Sequence, residues 1–161
     1  MSRSYIVQLS DRPVEEGCGL DFFELVNNKN VTDYADWIDD DPVGRDEAVR
    51  AVRENLSLLK DVIESFDPEE MKITFRNTGK VRTSLVAWMQ EEISKEMGEE
   101  TPSPGTLIYR LQDYKGCNLL LSVELNGEDQ DVCTSSRFVH DVATGSFPKE
   151  MYVGDIFGYH Y

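Results

Sequence analysis

Apolar and polar positions alternate at the start of the chain. In "SYIVQLS", Tyr5, Val7 and Leu9 fall on one face and Ile6 and Gln8 on the other. A period of two is that of a strand, because successive side chains point to opposite sides of the pleat. "DRPVEEGCG" has no period and reads as loop, while "LDFFELV" fits a helical turn or a strand equally. The period then changes. Val31, Tyr34, Ala35 and Ile38 stand at i, i+3, i+4 and i+7, the spacing of one helix face. "VTDYADWID" is therefore expected to form a short amphipathic helix, with Asp33, Asp36 and Asp40 stacked on its outward side.

The longest periodic run is Val49, Val52, Leu56, Leu59, Ile63 and Phe66, spaced alternately by three and four. It predicts a helix that starts at Asp41-Pro42 or at Asp46 and ends near Phe66, before Asp67-Pro68. The seam is short for a coiled coil, so it is expected to pack on the chain's own sheet. "MKITFRN" reads as a strand. A second helix is expected from Val81 to Met97, with Leu85, Trp88, Met89, Ile93 and Met97 inward. "GEETPSPG", residues 98–105, reads as an exposed linker.

From Thr106 the period returns to two. "TLIYRLQD" and "CNLLLSVEL" flank "YKG" as a hairpin, and Leu119, Leu121, Val123 and Leu125 share one face. Asn126-Gly127 predicts a type I′ turn. "RFVHDVA" is read as a further strand, and the aromatic-rich "MYVGDIFGYHY" is expected to dock on the fold. With no internal repeat, the pattern gives an α+β class: a single domain over residues 1–161, with a mostly antiparallel sheet and two main amphipathic helices packed on one face.

Composition supports a folded chain. The 161 residues are enough for a core, and 40% hydrophobic content argues against disorder. No run of eighteen apolar residues exists to span a bilayer. "MSRSYIVQLSDRP" lacks the apolar stretch and cleavage site of a signal peptide. Cys18, Cys117 and Cys133 are odd in number and far apart, with no CxxC, which fits reduced thiols and a cytoplasmic location.

Charge alters the picture most. The 31 acidic and 16 basic residues leave a net charge of −15. Such a field repels nucleic acid and anionic membranes, so neither is expected as a direct partner, whereas a basic protein surface is favoured. The charge is also uneven. Residues 31–47 hold seven acids and one base, but between Met71 and Gln90 four bases (Lys72, Arg76, Lys80, Arg82) occur without any acid.

Candidate chemistry is sparse. Cys18 in "GCGLDFF" is a candidate nucleophile of a cysteine hydrolase, if it sits at a helix N-terminus, with His140 and Asp141 as base and orienter. If "RFVHDVA" is a strand, however, His140 and Asp141 face opposite ways and His140 joins Phe138 and Val142. "DDDPVGRDEAVR" begins like a calcium loop but has Val43 and Arg50 where oxygen ligands are required. The histidines and cysteines have no zinc spacing, so no metal or cofactor is expected. "KITFRNTGKVRTS" places Gly79, Lys80, Arg82, Thr83 and Ser84 at a strand–turn–helix junction, where backbone N–H groups attract anions. It is not a P-loop, since Val81 follows the lysine.

The leading expectation is a small acidic cytoplasmic protein that binds a basic protein surface through Asp33, Asp36, Asp40, Tyr34 and Trp37. Stacking like charges on a helix costs roughly 0.2–0.5 kcal/mol per pair, a penalty that contact with a basic partner would offset. Antagonists of nucleic-acid-binding proteins, whether DNA mimics or immunity proteins, use this logic. The alternatives are a domain or enzyme for an anionic or phosphate-bearing ligand at Lys80 and Arg82, and the cysteine hydrolase.

Overall fold

In the computed structural model, which describes residues 2–161, the alternating first segment forms strand β1 (Arg3–Ser10). There follow helices α1 (Phe22–Val26) and α2 (Lys29–Thr32), strand β2 (Trp37–Ile38) and helix α3 (Arg45–Leu56). Strands β3 (Ile63–Asp67) and β4 (Lys72–Phe75) lead into the long helix α4 (Thr78–Met97) and the short α5 (Pro104–Arg110). A 3-10 turn at Tyr114–Gly116 precedes β5 (Leu120–Leu125), β6 (Glu128–Asp129) and β7 (Cys133–Thr134), then helix α6 (Ser135–Ala143) and strand β8 (Glu150–His160). Among the described residues this is a mixed α/β chain with one eight-stranded sheet and six α-helices. None of those helices is long and apolar enough to cross a membrane.

The sheet runs β3-β4-β8-β1-β5-β6, with β2 added to β8 and β7 to β5. β1 pairs parallel with β5, and the other pairings are antiparallel. β1 is buried on both faces because it lies in the middle. Val7 and Leu9 enter a large core cluster with Leu121 and Val123 of β5, Ala51 and Val52 of α3, Val81, Leu85 and Trp88 of α4, and Phe138 and Val142 of α6. Ile6 points the other way, into a smaller cluster with Leu120, Phe157, Tyr159, Leu25, Val31 and Ile38. Each fully buried aliphatic or aromatic side chain contributes about 1.5–3 kcal/mol through removal from water. The hairpin at Asn126-Gly127 forms as expected: φ is +54° and +79° at the two residues, as a type I′ turn requires, and they join β5 to β6.

Four expected elements take another form. The helix over "VTDYADWID" is absent: α2 stops at Thr32, Asp33 is its C-cap, and Trp37-Ile38 pairs with β8. Val31 and Ile38 are both buried in the smaller cluster, but a helical turn and a strand bring them there. Asp33, Asp36 and Asp40 therefore do not stack on a helix face.

The helix expected to reach Phe66 ends at Leu56; it starts at Arg45 with Gly44 as its N-cap, and neither Asp41 nor Asp46 caps it. Ile63 and Phe66 lie on β3, where the register against β4 shifts between Ile63 and Ser65. That irregularity lets two residues three apart both reach the core, which imitates a helical spacing.

"TLIYRLQD" forms α5 and no hairpin strand. Ser103 caps it by accepting from the Thr106 N–H at 3.3 Å, and Pro104 occupies its first turn, where a missing N–H is harmless. The 98–105 segment is exposed except at Ser103, but its last two residues already belong to this helix. "RFVHDVA" lies in α6, not a strand: Ser135, Phe138, Val139, Val142 and Ala143 are buried at helical spacing.

Finally, α4 forms and turns Leu85 and Trp88 inward, but Met89, Ile93 and Met97 are exposed. Its buried stripe ends on Glu96. The Glu96 carboxylate accepts hydrogen bonds from the Ser103 N–H and from Arg110 Nε, each at 3.0 Å.

Candidate functional site

The acidic segment of the sequence is fixed to the end of β8. The Asp36 N–H donates to the His160 carbonyl at 2.7 Å, and the Asp39 N–H donates to the Gly158 carbonyl at 2.9 Å. Trp37 and Ile38 stand opposite His160 and Tyr159. Because side chains alternate along a strand, burying Ile38 turns Trp37 outward, where it is 53% exposed. Its indole stacks on the His160 ring, with centroids 4.3 Å apart.

A chain of charges continues from that stack. His160 Nε2 lies 2.9 Å from Asp39 Oδ1, and the Arg3 guanidinium bridges Asp39 at 2.9 Å and Glu47 at 2.7 Å. The Arg3 guanidinium also lies over the Tyr5 ring. Gly158 makes room for this crossing, since a Cβ there would collide with the Asp39 carboxylate and the Arg3 guanidinium. Partial burial pushes the Asp39 carboxyl upward, but hydrogen bonds from Arg3 and His160 outweigh it and hold the group below its ordinary value. The hydrogen bond from Arg3 likewise lowers Glu47, and both carboxylates hold the Arg3 proton more firmly.

Asp33, Asp36, Asp40 and Asp41, within four residues of Trp37 along the chain, are exposed. Asp33 pairs with Lys29 at 3.0 Å along one helical turn. Tyr34 is half-buried against the smaller cluster, so its ring packs the segment down more than it projects. Trp37 and the aspartates are thus neighbours along one segment, which is extended only at Trp37-Ile38. The residues that fix them, His160, Arg3 and Gly158, lie far off in sequence and carry no local signal.

The basic island forms a separate cleft of about 630 Å³, lined by Lys60, Asp61, Arg76, Asn77, Gly79, Lys80, Thr83 and Ser84, with Asp61 paired to Lys115. Arg82 is exposed on the next part of α4. Asn77 caps α4 by accepting from the Gly79 N–H at 2.8 Å, and Thr83 Oγ1 donates to the Gly79 carbonyl at 3.0 Å. Arg76 Nε donates to the Lys60 carbonyl at 2.5 Å, which directs the guanidinium to the cleft edge. Lys72 is taken by Glu70 and Glu150. Among the described residues, Lys60, Arg76, Lys80 and Arg82 form no ion pair.

The thiols occupy unrelated sites. Cys18 is exposed in the loop before α1, whose cap is Asp21, so it is not at the helix N-terminus. Its N–H donates to the Glu15 carbonyl, and its own carbonyl accepts from Gln8. His140 is exposed on α6 beside Asp141, at 3.1 Å, and among the described residues no hydrogen bond joins it to a thiol. Burial pushes the Cys117 thiol up to about 11 and the Cys133 thiol up to about 12, so both stay protonated near neutrality. Among the described residues no group of three or more His, Cys, Asp and Glu is placed to hold a metal ion.

Comparison with protein-family models, with curated proteins and with solved structures returns no match for this chain.

Proposed function

We propose that this chain acts by binding: a cytoplasmic α+β domain that engages a basic protein surface through the face around Trp37. In this reading its carboxylates take the place of phosphates in the cleft of a nucleic-acid-binding protein, which it thereby antagonises. The observation that carries the proposal is a large aromatic ring held firmly yet left 53% exposed, in a segment that also exposes Asp33, Asp36, Asp40 and Asp41. Hot spots of protein interfaces have this composition, an aromatic anchor inside a polar rim. A net charge of −15 supplies the long-range attraction for a cationic partner.

The test is capture by the immobilised chain from its native lysate, compared with Trp37→Ala and with the triple change Asp33→Asn, Asp36→Asn, Asp40→Asn. A basic nucleic-acid-binding protein should be retained by the parent at low salt, released at high salt, and lost from both variants. Capture of the same partners with unchanged affinity by both variants would remove this face from consideration.

A second reading is favoured by a different observation. In so acidic a chain, Lys60, Arg76 and Lys80 line one cleft and form no ion pair among the described residues, while the carboxylate beside them, Asp61, is engaged by Lys115. A phosphate-bearing or other anionic small molecule is the ligand such a cleft would take.

A further inference from the structure

Helix α4 carries a second apolar stripe beside its buried one. Val86, Met89, Ile93 and Met97 recur every three or four residues and are all exposed, Met97 to 65%. Single exposed apolar residues are ordinary, but a stripe of four on one helix face marks a contact surface. It runs about 17 Å along the axis at 1.5 Å per residue.

Charges at the two ends of the stripe suit a second copy of this chain. Between Thr78 and Gln90 the helix carries Lys80 and Arg82 and no acid, whereas Glu91, Glu92, Glu96, Glu99 and Glu100 crowd its end. Most of these acids are already matched: Lys95 holds Glu91 and Glu92, and Arg110 holds Glu92, Glu96 and Glu99. Among the described residues, Arg82 before the stripe and Glu100 after it form no ion pair.

We propose that this chain forms a two-fold symmetric homodimer in which α4 packs antiparallel against α4 of a second copy. With the axis between Met89 and Ile93, Met89 of one copy meets Ile93 of the other, and Val86 meets Met97. The same register brings Arg82 of each copy to the end of the other copy's α4, where the chain continues past Gly98 to Glu100. A two-fold interface must be self-complementary, and this one is so in both apolar pattern and charge. A parallel pairing would set Arg82 against Arg82 and Glu100 against Glu100, and would align the helix dipoles unfavourably. The face is distinct from Trp37, so the dimer stands or falls apart from the function proposed above.

Sedimentation equilibrium of the whole chain tests this. The parent should be dimeric at micromolar concentration. Ile93→Glu, which places two carboxylates beside the axis, should be monomeric with an unchanged far-ultraviolet circular dichroism spectrum. Arg82→Glu and Glu100→Arg should each weaken dimerisation by about tenfold, because each removes two attractive pairs and creates two repulsive ones. Combining both in one chain should restore the parent affinity, since the exchanged charges again face each other across the axis. A parent that stays monomeric up to millimolar concentration would overturn the proposal and leave the stripe to a different partner. A dimer indifferent to Ile93→Glu, or charge changes that the double exchange does not rescue, would overturn it as well.

Discussion

The indole of Trp37 lies at 29° to the imidazole of His160, its centroid 4.3 Å away, and the two residues face each other across a strand pairing. An exposed tryptophan is thereby held in one orientation before any partner arrives. Ordering a side chain on binding opposes association, so an aromatic ring already fixed loses less on contact. The stack also ties the most acidic segment of the chain to the strand at the sheet's centre.

Trp37→Ala should leave the fold intact and lower stability by about 1 kcal/mol, the scale of one aromatic pair. If the ring is an anchor, the same change should weaken partner binding by about 2 kcal/mol or more. Surface plasmon resonance should show this as faster dissociation, while the aspartate-to-asparagine changes act mainly on association and its salt dependence.

Acid should loosen the Arg3–Asp39–Glu47 network in a defined direction. Both carboxyls are held below their ordinary values of 3.8 and 4.5 in the folded protein. Their contribution is full above those unfolded-state values and is lost as pH falls through the lower folded ones. Urea unfolding followed from pH 6 downward should show stability declining below about pH 4.5. Arg3→Met should flatten that decline, and an unchanged slope would show that the network adds nothing.

Gly158→Ala should be destabilising out of proportion to one methyl group. The added Cβ meets the Asp39 carboxylate and the Arg3 guanidinium. Overpacking of this kind costs about 1–3 kcal/mol. Thermal unfolding of Gly158→Ala in an Arg3→Ala background should recover part of the loss if the collision is its cause.

Ser135→Ala should also destabilise, though it removes a single oxygen. Buried Ser135 Oγ accepts from the Tyr114 N–H at 2.8 Å and donates to the Cys117 carbonyl at 2.5 Å. Without it, buried backbone groups at the 3-10 turn lose their partner, a penalty of about 1–3 kcal/mol. Hydrogen exchange at Tyr114 should rise in the variant.

Inorganic phosphate should raise the melting temperature of the parent if the Lys60–Arg76–Lys80 cleft binds anions, by mass action on the folded state. Lys60→Ala combined with Lys80→Ala should abolish the rise. A broad panel of phosphorylated ligands without effect would remove the second functional reading.

The sequence revealed these features unevenly, for physical reasons. β1, β5, the Asn126-Gly127 turn and the existence of α4 were legible because each rests on a pattern contained within itself, but the inward face of α4 agrees with the expected one only at Leu85 and Trp88, not at Met89, Ile93 and Met97. Ile63 and Phe66 misled because an irregular strand can present residues three apart to the same core. In "RFVHDVA" the alternation of Phe138, His140 and Val142 hid the helical set that begins at Ser135. The cap at Ser103-Pro104 was a readable helix start, overshadowed by the breaker residues around it. At the candidate site, composition pointed to Trp37 and its aspartates, but their arrangement depends on His160 and Arg3. Lys60 joins the basic cleft only because the turn after α3 brings it to Arg76.

The pairing of β1 with β8 has a kinetic consequence. Ile6 lies opposite Phe157, and Val7 opposite Ile156, so the two middle strands come from distant parts of the chain. Bringing them together closes a very long loop, and that entropy is lost before most of the favourable contacts exist. Short-range pieces, the β3–β4 and β5–β6 hairpins, can form early and join β8 and β1 respectively, but the sheet stays in two halves until β1 and β8 meet. Central pairings this distant in sequence predict slow folding, with unprotected strand edges exposed while the centre is still missing.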